Sequence, residues 1–353
     1  MVSRRSPHRR ITHRRALAAL AALCIGAESL SASGDTVDAA WSAPALDRWM
    51  YPFNATPGTR PVISVFGSEP GGTDFDSRDA QFILGFSTAT QVEPGLGASN
   101  YEVLSARVTL EFANDLVVAY DPTPDPWQTF LSPADPNWQP DADAGQPVEL
   151  FGCGFRNGWS ALTFAENSPF GSGSVLMPSV RNAFAVGANV NGALVDVSNN
   201  PRQGFQPTSF AVGQIATLQP GDLIPLGARM SFDVNVAHPA IQSYLRDSLN
   251  AGRLMLVASS LTFVVQQGGN FPAFFAKENP LVSVGLARAA QLALSVRLGP
   301  SCSAGDINCD GRVDGTDLTA VLANWGGAGA SDLNGDGATD GLDLTVLLSA
   351  WTG

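Results

Sequence analysis

Histidine is almost missing from this chain of 353 residues: there are three, and His8 and His13 fall in the first fifteen, leaving His238 alone in the remainder. A Ser-His-Asp relay would rest on that one imidazole, which sits directly before Pro239 at the start of a helical pattern and reads as a helix boundary. Cysteine is equally sparse, with Cys24, Cys153, Cys302 and Cys309 the full set, so a thiolate-imidazole metal site has too few donors. In an oxidising compartment Cys302 and Cys309 are close enough in sequence to bridge, which leaves Cys153 as a buried thiol. Basic charge is also short, at 20 Lys+Arg against 32 Asp+Glu, and six of the basic residues lie in the first fifteen. Without residues 1–33 the balance moves from -12 to about -17. Nucleic acid is thereby excluded as a partner, because phosphate binding needs a basic face, whereas a calcium protein or a soluble extracellular one suits the charge. The apolar run Ala16 to Ala27 is twelve residues and ends at Glu28, well short of the ~20 that a membrane span requires. With its basic start and the small residues Ala32 and Ser33 behind it, residues 1–33 read as a secretory signal that is removed.

What is abundant is alternation. In LSARVTLEF, Leu104, Ala106, Val108, Leu110 and Phe112 alternate with Ser105, Arg107, Thr109 and Glu111. Met230, Phe232, Val234 and Val236 do the same, as do Leu292, Leu294, Val296 and Leu298. Period two with one apolar face describes strands that pack on a core by one side, as in antiparallel sandwiches. The 36 glycines and 24 prolines cut the chain into many short runs of this kind. The expectation is a mainly β protein, with an antiparallel jelly-roll β-sandwich over 36–298.

Within that body one helix is legible: Pro239 suits a first turn, Ile241, Tyr244, Leu245 and Leu249 share a face, and Asn250 to Gly252 offer a stop. The stretch 121–145 is too rich in proline and aspartate for a strand and reads as a long surface loop; 165–210 reads as a second long insertion. In GGTDFDSRD, Asp74, Asp76 and Asp79 mark either a solvated turn or a structural calcium site.

After Leu298 the character changes. Residues 299–304 form a linker, and 305–353 are a repeat at an offset of 26. A calcium-sized cation takes six to eight oxygens, which a twelve-residue loop supplies from positions 1, 3 and 5, a carbonyl at 7, position 9 and a carboxylate at 12, with glycine at the sharp turn of position 6. Asp306, Asn308, Asp310, Gly311, the Arg312 carbonyl, Asp314 and Asp317 satisfy this once, and Asp332, Asn334, Asp336, Gly337, the Ala338 carbonyl, Asp340 and Asp343 satisfy it again. At position 8, Val313 suits a short strand-like contact between the loops, and Thr339 suits it less well. A helical pattern follows each loop, with Leu318, Val321, Leu322 and Trp325 matching Leu344, Leu347, Leu348 and Trp351.

Position 12 is aspartate in both loops, where ordinary EF-hands carry glutamate, and no entering helix precedes either loop. A loop followed by one helix, doubled, resembles the type I dockerin. That resemblance implies a small α-helical, EF-hand-like domain folded by two Ca2+ ions, which docks onto a cohesin-like or cell-surface protein. It also implies an extracellular or cell-surface location. Residues at loop positions 10 and 11 help choose the partner in that family; here they are Gly315-Thr316 and Gly341-Leu342, departing from the Ser/Thr-type pairs of well-known members.

The body resembles DNRLRE-type β-sandwich domains in the order of its segments, with Ile83 to Phe86, Ser105 to Leu110, His238 to Leu249 and Gly252 to Val257 in the corresponding places. Some of that group bind carbohydrate. Stacking on sugar rings needs aromatic faces with polar neighbours, and Trp127, Trp138 and Trp159 are the candidates, with core packing or loop anchoring as the other use for each. A glycan-active hydrolase would need two carboxyls about 5 to 9 Å apart, for which Glu102, Glu111, Glu149, Glu166 and Glu278 are available. Three classes stay open: a secreted non-catalytic module that binds or displays on polysaccharide, a polysaccharide-degrading enzyme, and a structural surface protein.

Overall fold

The computed structural model describes residues 35–264, 270–299, 304–308 and 312–353. The segment read as a secretory signal, Cys302, Cys309, Asp310, Gly311 and most of the stretch read as a linker lie outside the described residues. The strands, in chain order, are β1 (Thr36–Trp41), β2 (Leu46–Met50), β3 (Val62–Ser64), β4 (Gln81–Phe86), β5 (Tyr101–Glu111), β6 (Val148–Phe155), β7 (Ala183–Ala188), β8 (Leu194–Asp196), β9 (Ala211–Val212), β10 (Arg229–Asp233), β11 (Leu254–Ser260), β12 (Ala273–Phe275) and β13 (Gln291–Leu298). The α-helices are α1 (Asn200–Gln203), α2 (Pro239–Asn250), α3 (Pro280–Ser283), α4 (Gly315–Ala323) and α5 (Gly341–Ser349).

One antiparallel sheet runs β1-β13-β5-β10 and the other β2-β4-β11-β6-β7-β8, with β9 beside β6 and a small β12-β3 pair apart. The chain crosses between sheets from β1 to β2, β4 to β5, β5 to β6, β9 to β10, β10 to β11 and β11 to β13, so the strand order is that of the jelly roll. Side chains from both sheets meet in the main core: Val103, Ala106, Val108, Leu110, Phe232, Leu292, Leu294 and Val296 face Phe82, Leu84, Phe86, Leu150, Leu254 and Leu256. Helix α2 closes this core with Ile241, Leu245 and Leu249, the face legible in its sequence.

Two details differ from the alternation. Leu104 is only half-buried, because β5 bulges there: Ser105 pairs with Ser295 but Val103 pairs with Val296, so Leu104 is the extra residue and the apolar phase passes to Tyr101 and Val103. Strands β4 and β11 are buried at every position, not on one side. A second core on the far face of their sheet gathers Leu46, Met50, Ile83, Phe151, Cys153, Phe164, Ala185, Met255 and Val257. The cover comes from segments between β6 and β9, and the region read as an insertion over 165–210 holds β7, β8 and α1.

That cover is tied down by buried charge. Arg181 donates to the carboxylate of Asp76 at 2.5 Å and to the Asp79 carbonyl at 2.9 Å, while Asp76 also accepts from Ser179 N–H at 2.7 Å and Asn199 Nδ2 at 2.6 Å. Arg78 pairs with Glu149 at 2.6 Å beneath the same surface. Arg48 donates to the carbonyls of Ala165 and Ser168 at 3.2 and 2.7 Å and lies over the Phe164 ring. Asp76 and Asp79 are therefore buried parts of an ion-pair node, neither a solvated turn nor a calcium loop. Phe75 and Ser179, on either side of the node, both hold left-handed backbone (φ 58° and 61°), a strain of order 1 kcal/mol or more per residue that the bonds around Asp76 offset.

Candidate metal centre

In the C-terminal segment both helices begin on a reciprocal cap. Asp314 is the N-cap of α4 and accepts from Thr316 N–H at 2.8 Å; Asp340 is the N-cap of α5 and accepts from Leu342 N–H at 2.8 Å. Three residues on, Asp317 and Asp343 reach back to the cap backbone. These two aspartates, the position-12 residues of the loops, also clamp the loop starts. Asp317 accepts from Ile307, Asn308 and Asp314 N–H at 2.7, 3.1 and 2.9 Å, and Asp343 from Leu333, Asn334 and Asp340 N–H at 2.7, 3.0 and 2.7 Å. The shared pattern explains why aspartate stands at position 12: the shorter side chain serves as N3 of the helix and as acceptor for positions 2, 3 and 9 together. Burial raises the Asp317 pKa, but its amide donors outweigh that and hold the carboxyl below the ordinary range; the same donors lower Asp343.

The second loop is described throughout. Asp332 accepts from Gly335 and Asp336 N–H through Oδ1 (2.8 and 3.1 Å) and from Gly337 N–H through Oδ2 (2.8 Å). Asn334 Oδ1 accepts from Asp336 N–H at 2.9 Å, and Asp336 Oδ1 from Ala338 N–H at 3.1 Å. Gly337, at position 6, has φ +98°, a conformation that side chains other than glycine resist. The loop is thus folded into a ring of oxygens around its own amides. It does not bring three carboxylates within 4.8 Å of one another; the groups of three that close among the described residues lie in the body. The donor chemistry nevertheless fits a hard cation, since carboxylate, carboxamide and carbonyl oxygens alternate along the loop and no basic side chain shares it. Asp332, Asn334, Asp336, the Ala338 carbonyl, Asp340 and Asp343 are the residues that would hold such an ion here. Asp306, Asn308, the Arg312 carbonyl, Asp314 and Asp317 are their counterparts, with Asp310 outside the described residues.

Residues 304–350 match the dockerin type I domain. This stretch is a type I dockerin. Such domains are generally calcium-binding, in keeping with the donor set. No curated protein matches the chain.

The dockerin has a very small interior. Val313, Val321 and Leu347 are fully buried, with Ile307, Leu318, Leu333, Leu344 and Ala350 packed around them. The position-8 contacts do not run from loop to loop as the sequence suggested. Val313 pairs with Thr352, donating to its Oγ1 at 2.8 Å and accepting from its N–H at 3.0 Å, whereas Thr339 pairs with Gly326 and Gly327, at 2.8 and 2.6 Å. Thr352 and Gly326 are equivalent at the offset of 26, so each loop of the dockerin is held by the residue that follows the other repeat's helix.

In the body, the aromatic candidates separate. Trp127 lines a groove of about 320 Å3 together with Glu69, Asp135, Asn137 and Arg202. Trp138 is solvent-exposed outside that groove, and Trp159 packs edge-on against Phe164 at 5.8 Å, an anchoring contact. Cys153 is buried and unbridged. Of the glutamates, Glu102 is ion-paired with Arg297 and Glu149 with Arg78, while Glu166 and Glu278 converge with Asp47 around the ammonium of Lys277. Sequence reasoning did not find Asp47: it stands 230 residues from Lys277 and sits in an unremarkable strand. Burial lifts its pKa to about 6, with Lys277 opposing.

Proposed function

We propose that this is a secreted, non-catalytic protein that docks through its C-terminal dockerin, holding two calcium ions, onto a cohesin-like or cell-surface partner, and whose jelly-roll body over 36–298 binds or displays on extracellular polysaccharide. The observation that carries the docking half is the apolar surface left on the dockerin helices. The sequence pattern places Leu318, Val321, Leu322 and Trp325 on one face, yet Leu322 and Trp325 are 54% and 51% exposed, and Leu342 and Leu348 are 61% and 52% exposed. Large apolar side chains so disposed around a three-residue core mark a surface that a partner covers. Calcium supplies the fixed charge that holds the loops closed, so that both helices present this surface together.

The groove beside Trp127 supports the polysaccharide half: an aromatic face, two acids, an amide and a guanidinium are the groups that recognise a hydroxylated ring. Of the carboxylates a hydrolase would draw on, Glu102, Glu149, Glu166 and Glu278 are engaged by Arg297, Arg78 and Lys277, and Glu111 is buried without an ion pair among the described residues, which favours binding over hydrolysis. Two measurements test the proposal. Immobilised cohesin domains should retain the protein in calcium and release it in chelator, and Leu322→Asp with Leu348→Asp should abolish retention. On a glycan array Trp127→Ala should lose signal at least tenfold while Trp159→Ala, if folded, keeps it. Retention indifferent to the leucine changes would overturn the docking half, and release of shortened glycan products would replace binding with hydrolysis.

A further inference from the structure

The loop 121–145 contains a feature that docking and glycan binding leave unused. Asp121, Asp125 and Asp143 each place a carboxylate oxygen so that the three lie within 4.8 Å of one another. The cluster is graded in depth: Asp121 is 3% exposed, Asp125 half-buried and Asp143 open to solvent. Its geometry is held from inside. Thr123 Oγ1 lies 2.9 Å from both Asp121 Oδ1 and Asp143 Oδ2, its one proton shared between them, and Thr123 N–H donates to Asp121 Oδ1 at 2.9 Å. Gly145 brings the returning chain so close that a side chain there would meet the Ala119 carbonyl at 3.0 Å and Asp121 Cβ at 3.1 Å.

Asp121 Oδ2 and Asp125 Oδ2 are buried and have no hydrogen-bond partner among the described residues, and no salt bridge among those residues reaches any of the three acids. The contrast with Asp47, Glu166 and Glu278 is direct, because there Lys277 supplies the cation. A buried carboxylate oxygen without a donor is costly, and neighbouring negative charge makes it more so. Burial, then Asp121, Asp141, Asp143 and Glu149, push Asp125 up to about 8. Asp125 also borders a cavity of about 10 Å3 shared with Arg78 and Glu149, room for a single water.

We infer that Asp121, Asp125 and Asp143 form a binding site for a calcium-sized divalent cation in the jelly-roll body, separate from the dockerin loops. An all-oxygen donor set, closed on one side and open through Asp143, suits a hard cation that keeps some of its water. The ion would pin both ends of the loop that carries Trp127.

The test uses the full-length protein and the Asp121→Asn/Asp125→Asn variant, with calcium bound per chain measured by equilibrium dialysis and the thermal unfolding of the body followed with and without calcium. The expected result is one calcium ion fewer per chain in the variant, and a body transition that calcium raises in the wild type but not in the variant. Both proteins carry the same dockerin, so failure of its loops to bind lowers both counts together and leaves the difference intact. In chelator the variant should melt above the wild type, because the crowding of acids around the buried Asp121 and Asp125 oxygens is relieved; if it does not fold, the exposed Asp143→Asn change should lower affinity at this site at least tenfold. Equal ion counts, or a wild-type body transition that ignores calcium, would overturn the inference and leave a cluster that shares protons.

Discussion

Replacing Arg181 by Met is the sharpest probe of what holds the second core together. Arg181 is 1% exposed and is the only ion-pair partner of Asp76 among the described residues. In the variant Asp76 keeps Ser179 N–H and the Asn199 amide as donors but is left as a buried charge without its counter-ion, and the Asp79 carbonyl loses its donor. Breaking a buried pair in this way costs ~3–5 kcal/mol. With a urea dependence of roughly 3 kcal/mol per M for a domain of this size, the midpoint falls by about 1 M or more. Near-ultraviolet circular dichroism in saturating calcium follows the body through that transition. Asp76→Asn in the Arg181→Met background removes the stranded charge and keeps Oδ1 as acceptor, so the double variant should regain at least ~1.5 kcal/mol over the single one. The pH dependence has a definite sign. In the wild type Arg181, Ser179 and Asn199 outweigh burial and hold the Asp76 pKa below its ordinary value, so its contribution is present above pH ~3.8 and lost as the pH falls through the lower folded value. Without Arg181 burial dominates and the deficit should shrink on acidification. A single variant within ~1 kcal/mol of wild type, or strictly additive losses in the double one, would refute the reasoning.

Other outcomes follow from the same contacts. Chelation should remove the helical signal of α4 and α5 and leave the sandwich transition near its original place once the body site is accounted for, since the dockerin core shares no residue with either core of the body; helicity that ignores calcium would count against this. Asp79, buried and pushed up to about 7 by burial and by Asp76 against the pull of Arg181, favours the fold fully below pH ~3.8 and loses that contribution as the pH rises through 7. Asp79→Asn should therefore flatten the stability profile between pH 4 and 7 and stabilise the protein at pH 8, by an upper bound of ~4 kcal/mol at ~1.36 kcal/mol per unit, read from urea unfolding across that range. Thr352→Val removes the hydroxyl that accepts from Val313 N–H and should lower dockerin stability by about 1 kcal/mol, seen as a weaker calcium midpoint for folding.

What could be read beforehand followed from how local each signal was. The dockerin loops were legible because their donors repeat within twelve residues, and α2 because its apolar face recurs every turn. Strands β5, β10 and β13 showed themselves by alternation, since one side of each faces solvent. Strands β4 and β11 did not alternate, because what buries their second face is chain remote in sequence, and pattern within a strand carries no record of that. The ion pairs were hidden for the same reason: Arg78 and Glu149 are 71 residues apart, Asp76 and Arg181 105. The row of aspartates in 121–143 was visible as composition, but the closeness of Asp121 to Asp143 depends on how the loop returns at Gly145. In the dockerin helices the turn-by-turn apolar pattern overstated the interior, because Leu322, Trp325 and Leu348 are exposed although written in the same apolar residues as the core.

The crossed pairing of Val313 with Thr352 and of Thr339 with Gly326 and Gly327 makes the unit of duplication smaller than the unit of folding. A single copy of the repeat would keep its candidate metal-binding oxygens yet have no tail to dock against its own eighth position. Severing the chain between the copies should yield two fragments that recover structure only when mixed, each completing the other.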